Sequence, residues 1–243
     1  MLRMPSLTLP REASSLADAV VEAVRVGVTS GELVPERTYS VYQLAELLDV
    51  SRSPVRDALL RLSEAGLVRI ERNRGFRVLT PQPHDIAEII DIRLALEPPA
   101  ARRAAERADE DQHAAIRSAF DALAAATGDE ARFWPADQAL HDHLMRAAGN
   151  ERAAAIVERL RATTALLGPP TTTTGRTLAE ICDEHAPIVE AVLARRGDAA
   201  ERAMREHLEH TGALLTRALE AQGPNDPSHA PRGRSRPRPT EAP

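Results

Sequence analysis

The chain has 243 residues, enough for two small domains; it is 43% hydrophobic but only 2% aromatic, so its cores must be built from Ala, Leu, Val and Ile, as in packed helices. A net charge of −5 argues against a protein that coats nucleic acid indiscriminately. One cysteine, Cys182, excludes an intramolecular disulfide, and no apolar run approaches the ~18 residues that span a bilayer. Without a secretory h-region as well, the reading is a soluble, cytoplasmic protein with no membrane partner.

Residues 1–14 carry no periodic pattern and read as a flexible arm. Leu16, Val20, Val24 and Val28 recur at helical spacing up to Ser30-Gly31, which predicts a first helix. Val41–Leu48 predicts a second, and Ser51–Ala65 a third, closed by Gly66. Val68–Glu71 and Phe76–Leu79 alternate and are bridged by Arg72-Asn73-Arg74-Gly75, a hairpin pattern. Thr80-Pro81-Gln82-Pro83 breaks the pattern and sets a domain boundary, so 15–80 forms one unit. Beyond it the periodicity is helical throughout, over about 84–108, 111–126, 130–148, 151–167, 176–196 and 198–221. Gly128, Gly149-Asn150, Gly168-Pro169-Pro170 and Gly197-Asp198 punctuate these segments. The Thr171–Thr174 run reads as a connector. The segment 221–243, rich in Gly, Pro, Ser and Arg, reads as a disordered tail. The expected fold is mainly α: an N-terminal winged helix-turn-helix, then an all-α antiparallel bundle over 84–220.

Charge is divided between these units. Ser51–Leu79 holds seven Arg against three acids, whereas His84–Glu220 holds sixteen Arg against 24 acids. A basic patch on one unit and an acidic second unit is the footprint of a DNA reader joined to something else. In the third predicted helix, Ser51 is placed to cap and Pro54 falls in the first turn, where its missing N–H costs nothing. Val55, Ala58, Leu59 and Leu62 form the inward face. Arg52 and Arg56 lie on another face at the N-terminal end, the end that enters the major groove in a helix-turn-helix. Arg there can grip guanine O6 and N7, while Ser51, Ser53 and the positive helix end suit phosphate. A four-residue turn before this helix and a basic hairpin tip after it, at Arg72, Asn73 and Arg74, separate the pattern from an ordinary surface helix with two Arg.

The stretch LAELLDVSRSPVRDALLRLSEAGLVRIERNRGFRV resembles the signature of GntR-type regulators, a likeness that covers nearly all of 15–80. The resemblance implies a winged helix-turn-helix that places Ser51, Arg52, Ser53 and Arg56 on double-stranded DNA, with the wing around Asn73, Arg74 and Gly75. Where relatives often carry an acidic residue or Arg before the Leu44-Ala45 pair, this chain has Tyr42-Gln43. A contact from that spot falls to the Tyr42 hydroxyl or is lost.

In the acidic unit Asp137 and His141 are four residues apart, so one helix face carries both. His185 and His207 are 22 residues apart across the Gly197-Asp198 turn, a spacing that brings them to one level of an antiparallel pair. One carboxylate and three imidazoles suit Zn²⁺ or another borderline divalent ion; His is common on helices, and spacing alone fits a chance set as well. The stretches DQALHDHLMRAAGN and EHAPIVEAVLARRGDAAERAMREHL resemble the FCD ligand-binding domain of the FadR subfamily. That resemblance implies that Asp137, His141, His185 and His207 bind a divalent metal, zinc first, with nickel or manganese as alternatives. IDIRLALEPPAARRAAERA resembles the first helix of that domain, where Arg93 sits at a position that holds an effector carboxylate. The other reading of Arg93 is an i, i+4 pair with Glu97 on a solvated face. Asn150 reads as a helix C-cap and Cys182 as a small buried hydrophobe. His84, His113, His210 and His229 read as unpartnered. Six helices in this unit point to the VanR-like branch.

The function expected is a transcriptional repressor that binds a pseudo-palindromic operator as a homodimer and is released by a small carboxylate metabolite at the metal site. Residues 84–220 would then serve effector binding and dimerisation. One alternative is a regulator with a purely structural metal and no effector. A metalloenzyme with an appended DNA-binding unit is disfavoured, because neither H-E-x-x-H nor G-x-S-x-G occurs. Asp142, Glu184 and Glu206, each next to a histidine in sequence, are expected to point away from the site.

Overall fold

The stripe around Val20 and Val24 folds into α1 (Leu16–Thr29) and is buried together with Ala19, Val21 and Ala23. Leu16, expected on that stripe, stays exposed because the packed face starts one turn later. The computed structural model describes residues 7–10, 15–29, 32–79, 82–167 and 175–222. The expected stop at Ser30-Gly31, the connector 171–174, most of the N-terminal arm and nearly all of the C-terminal tail lie outside them.

After α1 come β1 (Thr38–Tyr39), α2 (Val41–Leu47), α3 (Arg52–Glu64), β2 (Val68–Glu71) and β3 (Gly75–Val78). The Ser40 side chain caps α2 by accepting the Gln43 N–H. Ser51 takes the N-cap position of α3, but its side chain makes no cap hydrogen bond, contrary to the expectation. Gly66 closes that end of the motif at φ +77°, the left-handed conformation that follows a helix C-terminus.

The predicted hairpin pairs Val68 with Val78 and Ile70 with Phe76. A third strand, β1, was not expected: two residues are too short to show alternation. It pairs antiparallel with β3, giving the order β1-β3-β2. Tyr39 stacks on Phe76, with ring centroids 5.7 Å apart, and its hydroxyl accepts the Val34 N–H at 2.7 Å. Gly75 makes this possible. Its φ is +119°, and a Cβ there would fall 1.9 Å from the Tyr39 carbonyl oxygen.

The remaining helices are α4 (Pro83–Arg107), α5 (Glu110–Ala125), α6 (Glu130–Ala147), α7 (Glu151–Leu167), α8 (Leu178–Leu193) and α9 (Gly197–Gln222), close to the six expected segments. α4 lies along α9 and also meets α6, α7 and α8, while α5 packs on α6 and α8. Gly212 allows the approach of α9 to α4, since a Cβ there would sit 3.0 Å from Ile90. One core, with Ile116, Leu123, Phe133, Leu140, Ile188 and Leu208, belongs to the bundle. A second core joins the two predicted units. Val20, Val24, Leu59, Leu62 and Phe76 share it with Ile86, Ile89 and Ile90 of α4 and Leu215 of α9. Among the described residues no helix is long and apolar enough to cross a membrane.

Gly75→Ala should destabilise the protein by about 2–3 kcal/mol, the scale of a strained left-handed residue plus a displaced strand. Urea unfolding should show a lower midpoint; an unchanged midpoint would mean that β1 does not rest on Gly75.

Candidate functional site

Two groups of residues stand out on this frame, one at the surface and one buried. On α3, Val55, Ala58, Leu59 and Leu62 face the core, so the helix leaves Arg52, Ser53 and Arg56 exposed, with Ser51 just ahead of them. Asn73 and Arg74 are exposed at the hairpin tip, Asn73 at φ +62°, and Gly75 is half-buried behind them. Of the seven Arg in this stretch, Arg61 pairs with Asp18 at 2.6 Å and Arg77 with Glu71 at 2.7 Å. Arg52, Arg56, Arg72 and Arg74 form no ion pair with any described residue. Their positive charge is therefore open to an anionic partner. Tyr42 is exposed on α2.

The second group is assembled by three helices. α6 carries Asp137 and His141 one turn apart, α8 carries His185 and α9 carries His207, and all four are buried. Ligand atoms of the three histidines lie within 4.8 Å of one another. His141 Nε2 is 3.1 Å from His185 Nε2, and Asp137 Oδ1 is 3.2 Å from that same nitrogen. Opposite these atoms, each ring meets an oxygen. His141 Nδ1 is 2.8 Å from the Glu97 carboxylate, and His185 Nδ1 is 2.7 Å from the Ile181 carbonyl. His207 Nδ1 lies 3.3 Å from Glu184, though outside hydrogen-bond geometry.

These partners fix where the protons are. A carbonyl and an ionised carboxylate only accept, so Nδ1 carries the hydrogen in His141 and His185. Burial, reinforced by the Arg161 guanidinium, lowers His141 to about 3 against the pull of Glu97. Burial and the neighbouring His185 lower His207 to about 4. Burial alone would raise Asp137, but Arg161 and His185 hold it well below the usual carboxylate range. The His141 and His185 Nε2 atoms thus face each other beside a carboxylate oxygen. Oriented imidazoles backed by oxygen acceptors are what a divalent ion requires. Three buried histidines that can hold a metal are thus present.

Four residues around the cluster differ from expectation. Arg93 does pair with Glu97, Nε to Oε1 at 2.5 Å, but both are buried, so the pair is not on a solvated face. Glu97 is ionised although burial opposes it, because Arg93 and His141 stabilise the charge. Arg161 of α7, which no sequence pattern singled out, meets Asp137 with Nη2 and Gln138 with Nε. Glu184 does not point away: it accepts from Arg176 at 2.8 Å and lies against His207 and His210. Burial would raise Glu184, but His207 and Arg176 lower it to about 2.

His210 thus has a partner after all, and His84 lies 3.4 Å from Asp85. His113 is buried, and its Nε2 has no hydrogen-bond partner among the described residues; His229 lies outside them. Asn150 is an N-cap, not a C-cap: its Oδ1 accepts the Ala153 N–H at the start of α7, and Gly149 at φ +76° takes the closing role. Cys182 is buried, and burial pushes its thiol up.

Comparison with known proteins gives the same picture for both halves. Residues 16–78 match the family described as bacterial regulatory proteins, gntR family, and residues 88–210 match the FCD domain. The chain is 30% identical over 218 residues to the HTH-type transcriptional regulator LutR of Bacillus subtilis, covering 79% of this chain and 98% of LutR. It is 29% identical over 187 residues to the HTH-type transcriptional repressor RspR of Escherichia coli, covering 73% of this chain and 78% of RspR. Among solved structures, E. coli McbR/YncC shares the fold with a TM-score of 0.63 at 21% identity, over 85% of this chain and 99% of that one. LutR and RspR are both described as transcriptional regulators. With its winged helix-turn-helix followed by an FCD domain, the chain is a DNA-binding transcriptional regulator of the GntR family.

Proposed function

We propose that this regulator is a repressor of the FadR subfamily, VanR-like branch, that binds a pseudo-palindromic operator as a homodimer in the cytoplasm. A small carboxylate effector, held at a divalent metal in the 84–220 domain, releases it. The observation that carries this reading is the convergence of three buried histidines, His141, His185 and His207, whose ligand atoms lie within 4.8 Å of one another, with Asp137 Oδ1 3.2 Å from His185 Nε2. Repression is suggested by RspR, a relative described as a repressor.

On DNA, residues 15–80 present α3 to the major groove. Arg52 and Arg56 read base edges, Ser51 and Ser53 meet phosphate, and Asn73, Arg74 and Gly75 form the wing contact. A single helix reads too few base pairs for nanomolar specificity, so two copies on an inverted repeat are required. In the second domain Asp137, His141, His185 and His207 hold the ion, zinc first by donor set, with nickel or manganese as alternatives. The ion supplies a Lewis-acid position for an effector carboxylate. Among the described residues Arg93 commits only its Nε, to Glu97, which leaves the terminal nitrogens for the same anion. Release requires little energy: a tenfold loss of DNA affinity corresponds to about 1.4 kcal/mol of differential binding between two arrangements. One observation favours a second reading, a purely structural metal. His141 and His185 are 1% and 0% exposed, so an effector enters only if side chains part.

Arg52→Ala and Arg56→Ala should each weaken operator binding by about 1–3 kcal/mol at fixed salt without changing the unfolding midpoint. Wild-type affinity in both would remove α3 from the groove. Light scattering should give a dimeric mass, and the footprint should cover two half-sites; a monomer protecting one half-site contradicts the assembly.

Protein purified without chelators should contain about one divalent ion per chain, and His185→Ala should lose most of it while keeping more DNA affinity than Arg52→Ala. Absence of metal by elemental analysis, even after loading with zinc, nickel or manganese, rejects the site. Calorimetry with small hydroxy and dicarboxylic acids should show binding to the loaded protein; no binding by any of them leaves the structural-metal reading.

A further inference from the structure

We propose that Glu97 is a positioning residue for the metal site: it locks His141 in the Nδ1–H form, with the Nε2 lone pair turned to the cluster. The inference rests on the metal reading above and extends it to a helix, α4, that supplies no ligand.

Glu97 is completely buried. A buried carboxylate is costly unless every side of it is satisfied, and here both oxygens are used. Oε1 accepts Arg93 Nε at 2.5 Å, and Oε2 faces His141 Nδ1 at 2.8 Å. Arg93, one turn earlier and 3% exposed, donates to Oε1, and this pairing leaves Oε2 to accept from the ring. The imidazole then has no choice of tautomer or ring flip. A carboxylate behind a liganding imidazole also makes the ring more basic toward a metal. His185 gets the same service from a main-chain carbonyl, Ile181, which no substitution can remove; Glu97 is the support that can be tested.

Two readouts separate a positioning role from a merely structural one, both on the full-length chain. The first is the tautomer of His141 in metal-free protein, read from long-range ¹H–¹⁵N spectra and assigned by loss of signals in His141→Gln. The wild type should show Nδ1–H alone, and Glu97→Ala a mixture of tautomers. The second is zinc affinity by chelator competition, with the cobalt(II) ligand-field spectrum alongside. Glu97→Ala should bind zinc tenfold to a hundredfold more weakly with an altered cobalt spectrum. Glu97→Gln, whose amide oxygen still accepts from Nδ1, should recover part of that loss. Because removing Glu97 alone strands the buried Arg93 charge, the double variant Arg93→Met/Glu97→Ala guards against a folding failure and should show the same zinc loss. Folded variants with wild-type tautomer and zinc affinity overturn the proposal and leave the metal site standing. Wild-type protein that takes up none of the metals rejects the reading it rests on, and the proposal with it.

Discussion

Three imidazoles lie side by side in the interior of the bundle, and the arrangement of α4, α6, α8 and α9 follows from what that demands. Charged, they would repel one another and lose solvation; neutral, each needs a partner for its N–H. Two rings have one, from different places: His141 a carboxylate on α4 and His185 a carbonyl within α8, while His207 Nδ1 only lies near Glu184. These two oxygens fix their rings from behind and turn Nε2 of His141 and His185 toward the cluster. The cluster is therefore defined as much by the groups behind it as by the donors themselves.

α4 links this interior to the DNA-reading half. Its middle carries Arg93 and Glu97, and its first turns carry Ile86, Ile89 and Ile90, which share a core with α1, α3 and β3. α9 is built the same way. His207 is at the cluster, and Leu215, about 12 Å further along at 1.5 Å per residue, enters that same core. Two continuous helices thus touch both the polar cluster and the floor beneath α3, with no flexible joint between His207 and Leu215.

What was legible in the sequence was whatever repeats along one helix. The Val20–Val24 stripe, the inward face of α3 and the Asp137–His141 pair all follow helical spacing, and Gly and Pro punctuation set the six later helices close to where they lie. What was not legible depends on which helix crosses which. Arg161 and Glu97 reach the cluster from α7 and α4, which carry no histidine near the site. Adjacency to His185 on one helix predicts that Glu184 points away from the site, but α9 passes on the side to which Glu184 turns, so it meets His207 across the interface. β1 escaped because two residues show no period, although Gly75, at the tip of an apparently complete hairpin, marked a close backbone approach. Asn150 followed a glycine that had already closed the preceding helix, which left it to open the next one.

The shared core has a consequence for where this protein can be divided. The family match to the DNA-binding half ends at residue 78 and the FCD match begins at 88, and a cut in that interval looks natural on paper. Ile86, Ile89, Ile90 and Leu215 nevertheless complete the apolar interior under Val20, Leu59 and Phe76. Cutting there strips buried surface from the smaller half, at about 25 cal/mol for each Å² of apolar area returned to water, and leaves it without the lid of its own core. The boundary between the two family matches and the edge of this shared core are thus offset by several helical turns. The DNA-reading half owes part of its stability to the opposite end of the polypeptide.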